Sequence, residues 1–517
     1  MTTNNQIPLF PPRTIDELVA DIDLLTAEIQ ELYCQDQVPW IIGYSGGKDS
    51  SCILQLIWRA IALLPPEKRR KTVHVITNDT FVENPIVSHW VRGCIDKINR
   101  SAQEKNMPFM AHLTHPATKD TFWVCLMGKG YPAPRQGFRW CTERMKIQPA
   151  NQFIRETIRA NGEVILVLGT RKAESATRKR TMEKHEKGRF RARLSINSRL
   201  PNSYIYTPIE DWRTDEVWMY LLQWQNPWGG DNQDLFTMYR GATADNECPL
   251  VVDTSTPSCG DSRFGCWVCT MVSKDKSMEA MIQNDEEKEW LQPLLELRNE
   301  LDIRDDRDKR DFRRIYGKVE LFERNVDGET TVHNIPGPYL KQWREYWLTK
   351  VLEAQMSIRE NAPPEFRDLD LISIAELSEI RRIWLEEKHE FDDSLPRIYE
   401  EVTGEEFNDP RIGAGNSLLG SEEWQTLEEL CEGDTMHLEL MTRLLDTERQ
   451  YLTKVRRVGI YQALEKCFHT SSRSPEEAIA NAEYIRDIKK TAQQGDVKAL
   501  QQKLTWGKMK FSKSGNA

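Results

Sequence analysis

Apolar residues recur at helical spacing near the start of the chain. Ile15, Leu18, Ile22 and Leu25 mark one face, and Thr14 with Glu17 predicts a capping box before it. The pattern then changes to short apolar runs. Pro39-Trp-Ile-Ile-Gly-Tyr44 predicts a buried strand, a Gly/Ser loop follows, and residues 51–64 read as a helix stopped by Pro65-Pro66. The alternation continues with strand 73–77, helix 85–105, strand 109–113, helix 147–161, strand 164–168 and helix 215–225. Strands separated by helices pair in parallel through crossovers. The expected class is therefore α/β: an open, mostly parallel sheet with flanking helices.

The remainder divides by texture. Residues 1–37 form an N-terminal helical segment and 38–225 the α/β domain. Residues 226–275 are rich in Pro, Gly, Asn and Cys with little periodicity, and predict a loop-built, Cys-rich metal subdomain. Residues 276–360 read as a mixed connecting region, with a hairpin over 317–332 turning at Asp327-Gly328. Residues 361–517 predict an α-helical C-terminal region. Capping boxes start at Ser373 and Ser474, and a long helix or helix pair spans 424–466.

Composition narrows the setting. With 517 residues, 16 Trp and 39% hydrophobics the chain can bury a sizeable core, which excludes disorder as its class. No run of 18 apolar residues appears, so no membrane partner is expected. The first residues lack a secretory pattern, so a cytoplasmic, reducing location is expected. There, 11 cysteines point to metal binding or reactive thiols rather than disulfides. The net charge of −10 is unevenly spread. Residues 351–441 carry 7 Lys/Arg against 24 Asp/Glu, whereas 171–199 carry 11 against 3. The basic stretch suits a nucleic-acid backbone, and the acidic one suits basic partner proteins.

Ser45-Gly-Gly-Lys-Asp-Ser-Ser51 is the strongest local signal. A buried strand that turns straight into a helix aims backbone N–H groups and a helix dipole at one point. Gly46 and Gly47 let a phosphate approach the backbone, Ser45, Ser50 and Ser51 add hydroxyls, and Lys48 adds charge. Asp49 would repel a bare phosphate, and a phosphate-bound Mg²⁺ explains it. The spacing differs from GxxxxGK[ST], which disfavours a Walker-type ATPase.

This loop resembles the PP-loop of the ATP pyrophosphatase superfamily, which includes PAPS reductases, tRNA thiolases and GMP synthetase. Three further segments narrow the resemblance to PAPS-reductase-like proteins. Gly169-Thr-Arg-Lys-Ala-Glu-Ser-Ala-Thr-Arg178 is similar to their GxRxxESxxR segment, Tyr206–Trp218 to a PIxDW segment, and Thr77–Thr80 to their adenosine-side strand end. The resemblance covers about residues 38–225. It implies cleavage of ATP between the α- and β-phosphates, with ATP and Mg²⁺ held by Ser45–Ser51, Asn78, Asp79, Gly169, Arg171, Glu174 and Arg178. Lys48 and Asp49 would be catalytic.

Cys248, Cys259, Cys266 and Cys269 put four thiols within 22 residues, in a segment with few aliphatics, so a metal would order it. Four soft thiolates suit either Zn²⁺ or an iron–sulfur cluster. The order of loop, GxRxxES segment, cysteine group and acidic helical tail resembles the sulfurtransferase family of DNA phosphorothioate modification. That resemblance implies a [4Fe–4S] cluster on these four cysteines, with Zn²⁺ as the alternative. It also implies adenylation of a DNA backbone phosphate and replacement of a non-bridging oxygen by sulfur. The implied partners are DNA, a cysteine desulfurase as sulfur source, and other proteins of the phosphorothioation complex.

Cys141 stands apart, between Arg139, Arg144 and Lys146, cations that would lower its pKa and suit it to carry sulfur. Cys34 is a second candidate. Cys52, Cys94, Cys125, Cys431 and Cys467 sit in apolar contexts and read as core. Alternative functions are a PAPS or APS reductase, a tRNA-thiolating enzyme, and a nucleotide-sensing scaffold of a DNA-modification complex. A reductase would carry a redox cysteine near its C-terminus or an adjacent Cys-Cys pair, and neither pattern is present.

Overall fold

The computed structural model describes residues 13–174, 179–180, 182–183, 193–242, 264–314, 317–326, 329–409, 421–452, 456–471 and 474–511. Arg178, Cys248, Cys259, the Asp327-Gly328 turn and most of the basic stretch lie outside them. The described residues form two compact units. One is drawn from Met1–Phe122, Pro134–Asp302 and Ser357–Leu371, the other from Trp123–Ala133, Ile303–Met356 and Ile372–Ala517.

The first unit is built on a six-stranded sheet. Its strands are β1 (Trp40–Gly43), β2 (Val73–Asn78), β3 (Phe109–Thr114), β4 (Val164–Val167), β5 (Ser195–Ile196) and β6 (Ser203–Tyr206), in the order β3-β2-β1-β4-β6-β5. Every pairing is parallel except β5 with β6. The four apolar runs form four adjacent parallel strands as the pattern predicts, with β3 at the edge. β5 and β6 are additions, too short and too rich in Ser and Tyr to stand out as apolar runs.

The pleat sends alternate residues to two cores. Trp40, Ile42, Val73, Val75, Ile165 and Val167 pack with helices α1 (Ile15–Cys34) and α2 (Lys48–Ala62). Ile41, Ile76, Val164 and Leu166 pack with Ile154 of helix α4 (Gln148–Asn161), and α3 (Pro85–Glu104) connects β2 to β3. The Thr14–Glu17 capping box opens α1, whose buried Leu18, Ile22, Ile29, Leu32 and Tyr33 follow the helical repeat.

The chain moves outward from β1 through β2 to β3, then returns to the other side of β1 with β4. The strand order therefore reverses between β1 and β4, and the loops leaving these two strands face each other across a crevice. After β6 come α5 (Thr214–Gln223) and α6 (Asn232–Gly241), then α7 (Lys276–Asn284) and α8 (Gln292–Leu301).

The second unit contains an antiparallel hairpin, β7 (Leu321–Val326) with β8 (Glu329–Asn334), in the register Val326↔Glu329 that a two-residue turn requires. α9 (Lys341–Asn361) begins here, followed by α10 (Ile374–Arg382), α11 (Ser394–Thr403), α12 (Ser421–Leu430), α13 (Thr435–Leu452), α14 (Ile460–Ser471), α15 (Pro475–Gln493) and α16 (Val497–Phe511). The expected helix pair over 424–466 is three helices, the breaks falling near Gly433 and Gly459, both at positive φ. Arg313 bridges Asp311 and Glu439, each at 2.8 Å. Among the described residues, no helix is long and apolar enough to cross a membrane.

Candidate functional site

The crevice holds a cavity of about 840 Å³. Its polar end is the turn from β1 into α2. Gly46 adopts φ +73°, a conformation that side chains resist, and a Cβ there would lie 2.4 Å from Val91 Cγ2. Gly47 is the N-cap of α2 and has no side-chain cap, so the helix's first amides are left to other acceptors.

The serines divide by role. Ser45 lines the cavity, whereas Ser50 and Ser51 lie outside its wall. Ser50 Oγ donates to Gly47 O at 3.0 Å and accepts from Ser45 N at 3.2 Å, so it braces the turn. Ser51 is 3% exposed, and its amide closes the first helical turn onto Gly47 O at 2.9 Å. The hydroxyls expected at a phosphate thus reduce, on this wall, to that of Ser45.

Arg171 arrives from the loop after β4. It is 2% exposed, and its Nε donates to Asp49 Oδ1 at 2.8 Å. Its other nitrogens donate to Trp212 O at 3.2 Å and Thr214 Oγ1 at 3.3 Å. Lys48 Nζ lies 3.4 Å from Asp49 Oδ2. Asp49 therefore sits between two cations, which gives this acid a reason to be in the loop besides a metal ion. Gly169 permits the approach, since a Cβ there would lie 2.9 Å from Asp49 O. Glu174 Oε1 accepts from Arg171 N at 3.0 Å, shaping the same loop.

Beyond the charged end the wall turns apolar: Ile41, Ile76, Leu113, Ile154, Leu166 and Leu168. Asn78 and Asp79 stand at its edge. Asn78 Nδ2 donates to Lys146 O at 2.9 Å, and Asp79 Oδ2 accepts from Arg92 at 2.7 Å. A slot that is cationic at one end and apolar at the other suits a nucleotide polyphosphate with its base.

Glu83 and Lys146 form the rim nearest the cysteines, with Nζ 3.3 Å from Glu83 Oε1. Cys266 bridges to Glu83 in a short antiparallel contact, and its Sγ lies 3.4 Å from Thr80 Oγ1 and 3.6 Å from Glu83 Oε1. Cys269 N closes a tight turn onto Cys266 O at 3.0 Å. Burial pushes the Cys266 thiol up to about 12; Glu83 adds to this, and Lys146 opposes it. Burial also works against the Lys146 ammonium, but Cys266 and Glu83 outweigh it and hold its pKa above the usual lysine value.

Cys141 lies outside the cavity wall, at the start of a π-helical turn (Thr142–Ile147) leading into α4. Its thiol is not the acidic one expected. Burial pushes it above the ordinary value and nearby Cys269 adds to the rise, while Thr142 and Lys146 only partly offset them. Arg144 is paired with Asp120. Cys34 is exposed, and Cys52, Cys94, Cys125, Cys431 and Cys467 are buried. Among the described residues no group of three or more His, Cys, Asp or Glu is arranged to hold a metal ion, with Cys248 and Cys259 outside them.

One residue at the loop had no place in the sequence reading. Tyr239 of α6 accepts the Lys48 amide on its hydroxyl at 3.4 Å and lines the cavity. It lies 191 positions along the chain from Lys48 in a segment without periodicity, so no local pattern marks it.

Comparison with known proteins places the site in context. Residues 39–228 match the family model described as the phosphoadenosine phosphosulfate reductase domain, and this stretch is similar to that domain. An uncharacterized protein of Methanocaldococcus jannaschii is 24% identical over 200 residues, 39% of this chain and 35% of that one. The match thus spans about a third of the relative's length. A phosphoadenylyl-sulfate reductase structure from Candida auris is 12% identical, covering 41% of this chain and 87% of that chain, with a TM-score of 0.25. The U34-tRNA thiolase NcsA of Methanococcus maripaludis, solved with its [4Fe-4S] cluster, is 13% identical over 55% of this chain and 80% of that one, at 0.24. An FMN adenylyltransferase of Candida glabrata, with FAD and inorganic pyrophosphate, is 11% identical over 48% and 74%, at 0.28.

Proposed function

We propose that this protein is an ATP-cleaving sulfurtransferase of the DndC type, acting on a DNA backbone phosphate. The observation that supports it most is one cavity with two chemistries. An anion cradle of Ser45, Gly46, Gly47, Lys48 and Arg171 lies at one end, and the Glu83–Lys146–Cys266 cluster lies on the rim.

The base and ribose of ATP lie along the apolar wall toward Asn78 and Asp79. The β- and γ-phosphates enter the turn before α2. Asp49 Oδ2, whose one cation contact among the described residues is the long one to Lys48, fits a phosphate-bound Mg²⁺, which would neutralise charge on the leaving group. A non-bridging oxygen of a DNA phosphodiester attacks the α-phosphorus. Pyrophosphate departs, and the loop amides with Lys48 stabilise the charge it gains. A sulfur atom at the sulfide level then attacks the DNA phosphorus, and AMP leaves with the oxygen. AMP is a far better leaving group than an oxide ion, which is why the exchange consumes ATP.

Cys266 and Cys269, on one tight turn and joined in sequence by Cys248 and Cys259, fit as thiolate ligands of a [4Fe–4S] cluster; Zn²⁺ is the alternative. A bound cluster would supply iron with affinity for sulfur. Cys141, near Cys269, is the proposed carrier of sulfur from a cysteine desulfurase: it would hold that sulfur as a persulfide, and an external thiol would reduce the outer sulfur to the sulfide level, leaving a disulfide with Cys141. The basic stretch 171–199 would meet DNA, and the acidic helices would meet the other proteins of the complex.

The test is mass spectrometry of digested DNA from cells expressing the system with the wild-type protein, Lys48→Ala or Cys266→Ser. Sulfur-containing dinucleotides should vanish with either variant, and their persistence with Lys48→Ala overturns the ATP mechanism. The domain match favours PAPS-reductase-like chemistry as a second reading. Thiol-dependent sulfite release from PAPS by purified protein would establish that instead.

A further inference from the structure

Tyr239 is built into the loop from a distance. Its helix α6 is fastened to α2 by a buried amide pair: Gln55 Nε2 donates to Asn232 Oδ1 at 2.7 Å, and Asn232 Nδ2 donates back to Gln55 Oε1 at 3.1 Å. Asn232 Nδ2 also donates to Leu221 O and Trp224 O. About two turns further on, the Tyr239 ring is held edge-on by Trp218 (5.1 Å, 80°) and Phe264 (4.8 Å, 78°). Lys48 Nζ lies 5.3 Å from the ring centroid. The hydroxyl stands at the turn itself, 3.0 Å from where a Cβ on Gly47 would be.

This hydroxyl is only half used. Its oxygen accepts the Lys48 amide, but its proton has no acceptor among the described residues, although the side chain is 7% exposed. A buried donor without a protein partner favours any ligand that supplies an acceptor. Burial also holds the phenol well above its ordinary pKa, with the Lys48 amide opposing and Asp49 reinforcing, so the proton stays on. A neutral O–H donor thus faces the same space as the N-terminus of α2 and Lys48.

We infer that Tyr239 is an anion-binding residue whose hydroxyl donates to the diphosphate held by the loop. This rests on the pyrophosphatase reading of the site and adds a ligand from outside the 39–228 domain. Because Tyr239 packs on Phe264, two residues before Cys266, the same side chain links the phosphate end of the cavity to the cysteine turn.

The experiment is calorimetric titration of the full-length protein with magnesium pyrophosphate, and separately with AMP, for wild type, Lys48→Ala and Tyr239→Phe. The phenylalanine keeps both ring contacts, so its melting temperature should match wild type. Pyrophosphate should bind Tyr239→Phe about 10-fold more weakly or worse, with AMP affinity unchanged. Equal affinity overturns the inference. So does tighter binding, which would make the hydroxyl a plug, or an equal loss for AMP, which would make its role structural. Wild-type protein that ignores pyrophosphate overturns the underlying reading as well, and thereby separates the two failures.

Discussion

Replacing Gly46 by alanine tests whether the turn before α2 has the geometry assigned to it. Two costs combine. An L-residue at φ +73° loses about 1–2 kcal/mol. The new methyl group would sit 2.4 Å from Val91 Cγ2, and overpacking of this kind costs about 1–3 kcal/mol. The sum, about 2–5 kcal/mol, is a large part of the stability of an ordinary domain. Val91→Ala removes the clashing atom and leaves the backbone cost in place. In a double-mutant cycle the pair should therefore cost at least about 1 kcal/mol less than the two single changes added. Urea unfolding followed by tryptophan fluorescence reads this out, because Trp40, Trp58, Trp212 and Trp218 all lie in that core. Pyrophosphate binding should fall together with stability in Gly46→Ala. Strict additivity, or a cost below about 0.5 kcal/mol for the single change, would refute the geometry.

Other expectations follow from the same contacts. Arg171→Met should strip Asp49 of its 2.8 Å partner and cost about 2–3 kcal/mol. Arg171→Lys should not restore ATP–pyrophosphate exchange, because one ammonium cannot reach Asp49, Trp212 and Thr214 together. Asn232→Leu should destabilise by about 1–3 kcal/mol in urea, since Gln55 loses its buried partner. His74 and His112 are paired at 3.0 Å, and His74 is held at about 4, below its ordinary 6.5, by burial and by His112. The fold disfavours the charged form, so this contribution is complete above about 6.5 and is lost as pH falls toward 4. After screening for partial exposure it amounts to about 1–2 kcal/mol, and His74→Gln should flatten the profile. Anaerobically purified protein should absorb broadly near ~400 nm with Fe and sulfide present, and lose both in Cys266→Ser; stoichiometric Zn without iron would overturn the cluster.

The parts legible in the sequence are those whose cause is local. Ile41-Ile42 and Val164–Val167 are apolar runs buried on both faces of a parallel sheet, and such runs identify themselves; Val73, Val75 and Ile76 add to the signal around the half-buried His74. The glycine pair before α2 is equally local. What escaped depends on distant partners. The Asp49–Arg171 pair spans 122 positions, so Asp49 read as a metal ligand when a guanidinium also occupies it. Cys141 has three cations near it in sequence, but Arg144 turns to Asp120 and burial decides the thiol's acidity. Strand β6 is four residues of mixed polarity, placed in the sheet by its parallel neighbour β4.

The amide lock between Gln55 and Asn232 bears on how the protein can be dissected. Family similarity stops at residue 228, which invites expression of the segment up to that point as a minimal unit. Such a fragment would keep the glycine turn yet lose Asn232, Leu235, Phe236 and Tyr239 from its core. It would leave Gln55 without its amide partner and uncover one face of Trp218. The smallest excisable piece that preserves the nucleotide crevice must therefore run past the helix ending at Gly241.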